Sequence, residues 1–215
     1  MNITEHFDVL DCRGKKTGEI IPRDEAHRSG IWHGAFHCFI FSQRDGRAYG
    51  LFQKRSESKK IAPGKFDVSV GGHYSAGEDA AVAGPREMQE ELGLDVRFSD
   101  LLPVGRRIFV YCFTDGIKEY EFQDVFLLHR VILPESLTLQ REELAGAIEL
   151  EVEQGVELFS GKILRAQVPF TKTGGETVPI SVTVDDFVTC LDNYYLKLLL
   201  LVRRYVRGER ELLII

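Results

Sequence analysis

Basic charge is in short supply in this chain. Its 215 residues carry 33 acidic side chains against 27 lysines and arginines, a formal net charge of −6. Nucleic acid and anionic membranes both call for a basic field, so neither is an expected partner, and an anionic ligand has to be met by local cations. Cysteine is equally thin. Cys12, Cys38, Cys112 and Cys190 show no paired spacing, which fits neither a zinc ribbon nor a disulfide framework and leaves four free thiols. No basic stretch followed by an apolar run stands near residue 1, so no secretory signal is read and a cytoplasmic location is expected. The longest apolar run, residues 196–202, is broken by Lys197 and falls far short of the roughly 18 residues that a membrane span needs. There is no internal repeat and no low-complexity segment.

With hydrophobic residues at 44% and charged residues at 28%, the chain can bury one good core, and a single domain over 1–215 is expected. Residues 7–10 and 19–21 read as short strands, and residues 22–27 as a helical turn closed by Gly30. Residues 36–41 and 48–52 flank Asp45-Gly46, a hairpin signal. A polar, basic loop over 56–65 leads into an alternating strand at 66–70. Residues 101–114 and 120–132 read as a second hairpin around Asp115-Gly116, residues 147–150 as a strand and residues 152–159 as a short helix. Residues 184–206 place Phe187, Leu191, Tyr194, Tyr195, Leu198, Leu199 and Val202 at spacings of three and four, which predicts an amphipathic helix capped by Asp185-Asp186. The order of these elements predicts an α/β/α sandwich with a mixed sheet.

The chemistry concentrates in residues 72–94. In a helix, Glu87, Glu90 and Glu91 fall at i, i+3 and i+4, three carboxylates on one face with about 6 Å between neighbouring Cβ atoms. Nothing basic is read on that face to balance them. A solvated acidic face is the ordinary alternative, whereas a hard divalent cation with oxygen ligands, Mg²⁺ first, makes such a cluster favourable. Gly84-Pro85 interrupts the segment. An interior proline costs about 3 kcal/mol, so the helix is expected to start or bend there, with Pro85 suited to its first position and Gly93 to its close.

The complete pattern is Gly72, Glu78, Arg86-Glu87, an apolar residue, any residue, Glu90-Glu91, any residue, Gly93 and an apolar residue. It matches the Nudix box in full, and on it the chain resembles the Nudix hydrolase superfamily. The resemblance implies the α/β/α sandwich and a hydrolase of phosphoric anhydride bonds. It implies Mg²⁺, with Mn²⁺ as the substitute, held by Glu87, Glu90 and Glu91, and with Glu78 as a supporting group or further ligand. Arg86 is expected to orient the carboxylates through a charge-assisted pair. The core is expected over residues 33–132, with an N-terminal extension over 1–30 and a C-terminal helix over 184–207.

Outside the box, residues 6–128 are similar to one branch of that superfamily, the type I isopentenyl-diphosphate isomerases and related hydrolases. This second resemblance implies metal-binding roles for His27, His33 and His73 and for the acidic pair Glu119 and Glu121. Read alone, each histidine is more often packed or solvated, although Glu119 and Glu121 do share one face of a strand. Arg55 and Lys59 resemble the segment whose cations hold a diphosphate, and a guanidinium offers phosphate a bidentate fork. The isomerases carry a proton-transferring cysteine two residues before the third histidine, where this chain has Gly71. Their reaction needs an acid and a base on opposite faces of an alkene, so isomerase activity is disfavoured.

The expected function is Mg²⁺-dependent hydrolysis of a diphosphate linked to a nucleoside or other small molecule. One glutamate of the box, or Glu119 or Glu121, is expected to act as general base. A non-catalytic diphosphate sensor is the competing class, and an isomerase the third. The apolar residues up to Ile215, if exposed, are a candidate homodimer contact.

Overall fold

The computed structural model describes residues 5–113 and 115–215. Its centre is β3 (His33–Arg44), buried from His33 through Ser42, as the continuous apolar run implies for a strand covered on both faces. β3 turns through Asp45 and Gly46, both at positive φ, into β4 (Arg47–Arg55), with Arg44 opposite Arg47. Two left-handed residues in a row are what a tight hairpin with the natural strand twist requires, and Asp-Gly supplies them.

On its other side β3 runs parallel to β8 (Lys118–His129), which pairs antiparallel with β7 (Leu102–Cys112) in the second expected hairpin. Short β5 (Phe66–Asp67) and β6 (Val70–His73) pair with β4 and β3. β9 (Leu144–Glu151) pairs with β4, and β10 (Ala166–Lys172) and β11 (Thr177–Val182) extend that edge. The order β11-β10-β9-β4-β3-β8-β7 makes one mixed nine-stranded sheet with β5 and β6. β1 (His6–Leu10) and β2 (Lys16–Pro22) form a separate ribbon. α1 (Arg23–Ser29) follows it and is closed by Gly30 in the left-handed region.

Alternation along β3 sorts the core into two layers. Phe36, Cys38 and Ile40 pack with Met88 and Leu92 of α2 (Ala80–Leu92). Phe39 and Phe41 belong to the cluster containing Leu158 of α3 (Val152–Phe159) and Leu198 and Val202 of α4 (Tyr194–Val206). The expected α/β/α sandwich is the observed architecture. No helix among the described residues is long and apolar enough to cross a membrane.

Two helices depart from expectation. α2 begins at Ala80, with the Asp79 carboxylate accepting hydrogen bonds from the Ala81 and Val82 amides, so Pro85 lies inside it rather than at its start. The Asp79 cap and packing over β3 outweigh the missing donor. A Cβ at the neighbouring Gly84 would stand 2.7 Å from the Phe36 ring, so the pair sits where the helix packs tightly on β3. At the C-terminal end, the helix expected from residue 184 starts only at Tyr194. The Asp186 cap closes a single turn, Val184–Asp186, through a capping box with Thr183. Asn193 then takes φ 55°, which no continuous helix allows. Of the expected apolar patch, Leu213 is buried and the Ile215 amide donates to the Val104 carbonyl, while Ile214 stays exposed.

Candidate active site

Several elements meet at one cavity of about 340 Å³. From α2 come Arg86, Glu87, Glu90 and Glu91; from β8 Glu119, Glu121 and Gln123; from β6 Gly71, Gly72 and His73; and from β4 and its following loop Arg55 and Lys59. Gly72 leaves room for the Glu87 carboxylate, which a Cβ at that position would displace.

The box glutamates are not alone on their face. The Arg86 guanidinium donates to Glu87 Oε1 at 2.9 Å, to Glu90 Oε2 at 3.0 Å and to both oxygens of Glu78 at 2.9 and 3.2 Å. Arg86 lies four residues before Glu90, on the same helical face, and this corrects the expectation of an unbalanced cluster. Glu78 also accepts from the Ser75 amide and so braces Arg86 rather than facing the cavity. Burial raises the Glu87 carboxyl. Burial, with the Glu87 carboxylate beside it, pushes Glu91 up to about 8, although the Gly71 amide donates to Glu91 Oε2 at 3.3 Å. For both groups burial outweighs the nearby cations, Arg86 beside Glu87 and Lys59 near Glu91, and favours the neutral carboxyl.

Deeper along the sheet, His27 of α1, His33 of β3, His73 of β6 and Glu119 of β8 each present a ligand atom, all within 4.8 Å of one another. His73 Nε2 stands 2.9 Å from Glu121 Oε1, and His27 Nε2 is 3.6 Å from Glu119 Oε1. His33 Nδ1 sits 2.8 Å from the Ile31 carbonyl, which orients Nε2 inward. His27 Nε2, His33 Nε2 and Glu119 Oε1 are buried without a hydrogen-bond partner among the described residues. Three orphaned atoms converging on one point are a costly arrangement unless something fills it. Imidazole nitrogens with carboxylate oxygens suit zinc or manganese better than magnesium. Burial and the neighbouring histidines drive the His27 imidazolium down to about 3. Burial acts on His73 in the same direction, but the carboxylates of Glu119 and Glu121 outweigh it and raise the ring to about 9. Burial and the adjacent Glu121 carry Glu119 up to about 7.

Arg55 and Lys59 do line the cavity, but neither is wholly uncommitted. Arg55 Nε donates to the Ile61 carbonyl at 3.0 Å, and its Nη1 stands 3.7 Å from Asp67 Oδ2. Lys59 contacts the Glu143 carboxylate closely.

Sequence reasoning missed the opposite wall. Arg107 of β7 is buried, donates twice to Asp192 at 2.8 and 2.9 Å and once to Gln123 Oε1 at 2.8 Å, and stacks on Tyr194 at 3.9 Å. His37 lines the same wall, 3.1 Å from the Tyr194 hydroxyl. The only available signal was a charged residue in the middle of a β-run and a histidine in an otherwise apolar strand. Neither could be tied to residues 192 and 194 by spacing.

Helices on both faces of a mixed sheet, with a carboxylate helix opening onto a cavity beside it, define the class. A model of the NUDIX domain matches residues 31–166, and the chain belongs to the Nudix family as one of its hydrolases. It is 32% identical over 196 residues to an uncharacterized Nudix hydrolase of Clostridium acetobutylicum, covering 89% of this chain and 93% of that protein. It is 38% identical over 178 residues, 79% of this chain, to Nudix hydrolase 3 of Arabidopsis thaliana, and spans only 22% of that longer protein. At lower identity, 27% over 165 residues, it matches the isopentenyl-diphosphate Delta-isomerase of Aliivibrio fischeri, covering 74% of this chain and 90% of the isomerase.

Proposed function

We propose that the protein hydrolyses a diphosphate joined to a nucleoside or another small organic group, with Mg²⁺ as the working ion and Mn²⁺ as its substitute. One observation carries this: the cavity that receives Glu87, Glu90 and Glu91 is also lined by Arg55 and Lys59, so carboxylates for a cation and cations for an anion face one space. Divalent cations supply charge neutralisation and Lewis acidity to such a reaction. The protein's own part is to hold its carboxylates at fixed positions through Arg86, to orient the anion with Arg55 and Lys59, and to take a proton from the attacking water. Glu91, Glu119 and Glu121 all line the cavity as candidates for that base.

The histidine cluster supports a further reading of the same site, in which His27, His33, His73, Glu119 and Glu121 hold zinc or manganese. That arrangement also suits an isomerase. Gly71 argues against one, since no side chain there can exchange a proton with carbon. The test is phosphate-coupled hydrolysis of a panel of diphosphate esters with Mg²⁺, run beside isomerisation of isopentenyl diphosphate. Mg²⁺-dependent release without isomerisation supports the proposal. Tight binding without turnover points to a sensor, and isomerisation overturns the proposal.

A further inference from the structure

His33, Ala35 and His37 alternate onto one face of β3. His33 belongs to the histidine cluster, but at about 3.3 Å per residue His37 lies roughly 13 Å further along the strand. It stands opposite Gly71 in the register of β3 and β6, beside the backbone that donates to Glu91.

Both ring nitrogens of His37 have assignable states. Nδ1 is 3.1 Å from the Tyr194 hydroxyl. That phenol is fully buried, burial raises it far above the ordinary range, and it therefore keeps its proton. It has no other hydrogen-bond acceptor among the described residues, so the hydroxyl donates and Nδ1 accepts. Burial also draws the His37 imidazolium down to about 4, which leaves a neutral ring with its single proton on Nε2. Nε2 has no hydrogen-bond partner among the described residues. A Cβ at Gly71 would stand 3.3 Å from Nε2 and 3.4 Å from the adjacent ring carbon, so glycine at that position leaves this side of the ring uncovered, and both residues line the cavity.

We propose that His37 contacts the substrate, its Nε2–H donating to an oxygen of the bound diphosphate ester, and that Tyr194 is a positioning residue that fixes the tautomer. This rests on the diphosphate-hydrolase reading. A neutral donor of fixed direction adds a hydrogen bond without adding charge to a cavity already full of ionised groups. With Nδ1 filled and Nε2 protonated, the ring is set apart from the metal-binding histidines. Asn193, held left-handed, starts α4 at Tyr194 and so gives the broken C-terminal helix a role in the site.

The test is ring-¹⁵N NMR of the full chain with Mg²⁺ and methylenediphosphonate, beside the kinetics of His37→Gln, His37→Leu and Tyr194→Phe. The wild-type His37 ring is expected in the Nε2–H form, and the probe should shift Nε2. Glutamine, whose amide nitrogen reaches the place of Nε2, should retain most of kcat/KM, whereas leucine should lose about tenfold to a hundredfold. Tyr194→Phe keeps the ring that stacks on Arg107 and should mix the tautomers. A wild-type Nδ1–H form, a probe that shifts the Gly71 and Gly72 amides but not His37, or equal losses for glutamine and leucine would each overturn the proposal. A probe that perturbs nothing removes the diphosphate reading, and this proposal with it. If His37→Leu does not fold, the wild-type ring spectra and Tyr194→Phe still decide.

Discussion

At the proposed Mg²⁺ site, protons and metal ions would compete for the same oxygens on Glu91. Burial raises this carboxyl from its ordinary 4.5 to about 8, and a cation binds only the ionised form. Apparent Mg²⁺ affinity should therefore climb with pH up to about 8, and below that fall about tenfold per pH unit for one displaced proton. Titrations by calorimetry at several pH values check this, and an affinity independent of pH between about 6 and 8 would remove Glu91 from the ligand set. The metal-free fold responds with the opposite sign. A carboxyl raised on folding gives stability that is fully present below about 4.5 and is lost as pH rises through about 8. Glu90→Gln and Glu91→Gln keep the side-chain shape while removing a charge, so each should lower turnover by at least about a hundredfold with little effect on the unfolding midpoint. Near wild-type rates at saturating Mg²⁺ would return the box to a structural role.

At the scale of the element, α2 shows which signals in a sequence are local and which are not. Gly93 and the i, i+3, i+4 carboxylates were legible because they obey helix geometry alone. The true start was not, because Pro85 argued for a beginning where Asp79 and Phe36 argued for an interior. The cap is a contact two and three residues long, but the reason for Gly84 is a ring on another strand. Propensity predicts that Gly84→Ala stabilises an interior helix by roughly 1 kcal/mol. Packing against Phe36 at 2.7 Å should reverse the sign, at about 1–3 kcal/mol of destabilisation for overpacking, and denaturant unfolding of the variant reads the sign directly. The C-terminal helix failed for a similar reason. Its periodicity runs through residues 187–193, yet that stretch bends to bring Asp192 against Arg107, a contact across 85 residues that no window of sequence contains.

For the whole molecule, the site is an assembly of segments that the chain order keeps apart. The box, the three histidines and the Glu119/Glu121 pair were legible because they resemble known patterns. The wall of His37, Arg107, Asp192 and Tyr194 belongs to no such pattern and depends on how β3, β7 and α4 come together. Two measurements probe the assembled cavity. Alanine at Arg55 or Lys59 should chiefly raise KM, with a smaller effect on kcat, if both bind the anion in ground and transition states alike; an unchanged KM across active substrates would leave the loop merely solvated. Elemental analysis of protein purified without chelator should find zinc or manganese, lost together in His33→Ala and Glu121→Gln; metal-free wild-type protein would leave the box glutamates as the only ligands.

The Arg86 clamp separates two events that many metalloproteins couple. Its guanidinium already links Glu78, Glu87 and Glu90 and donates to the His73 carbonyl of β6, so the chain itself supplies a counter-ion for the carboxylates and a tie from helix to sheet. Under the proposed mechanism, scarcity of divalent ions is then expected to idle the enzyme without dismantling it. Restored supply finds a finished scaffold, and recovery proceeds at the pace of ion binding rather than of refolding.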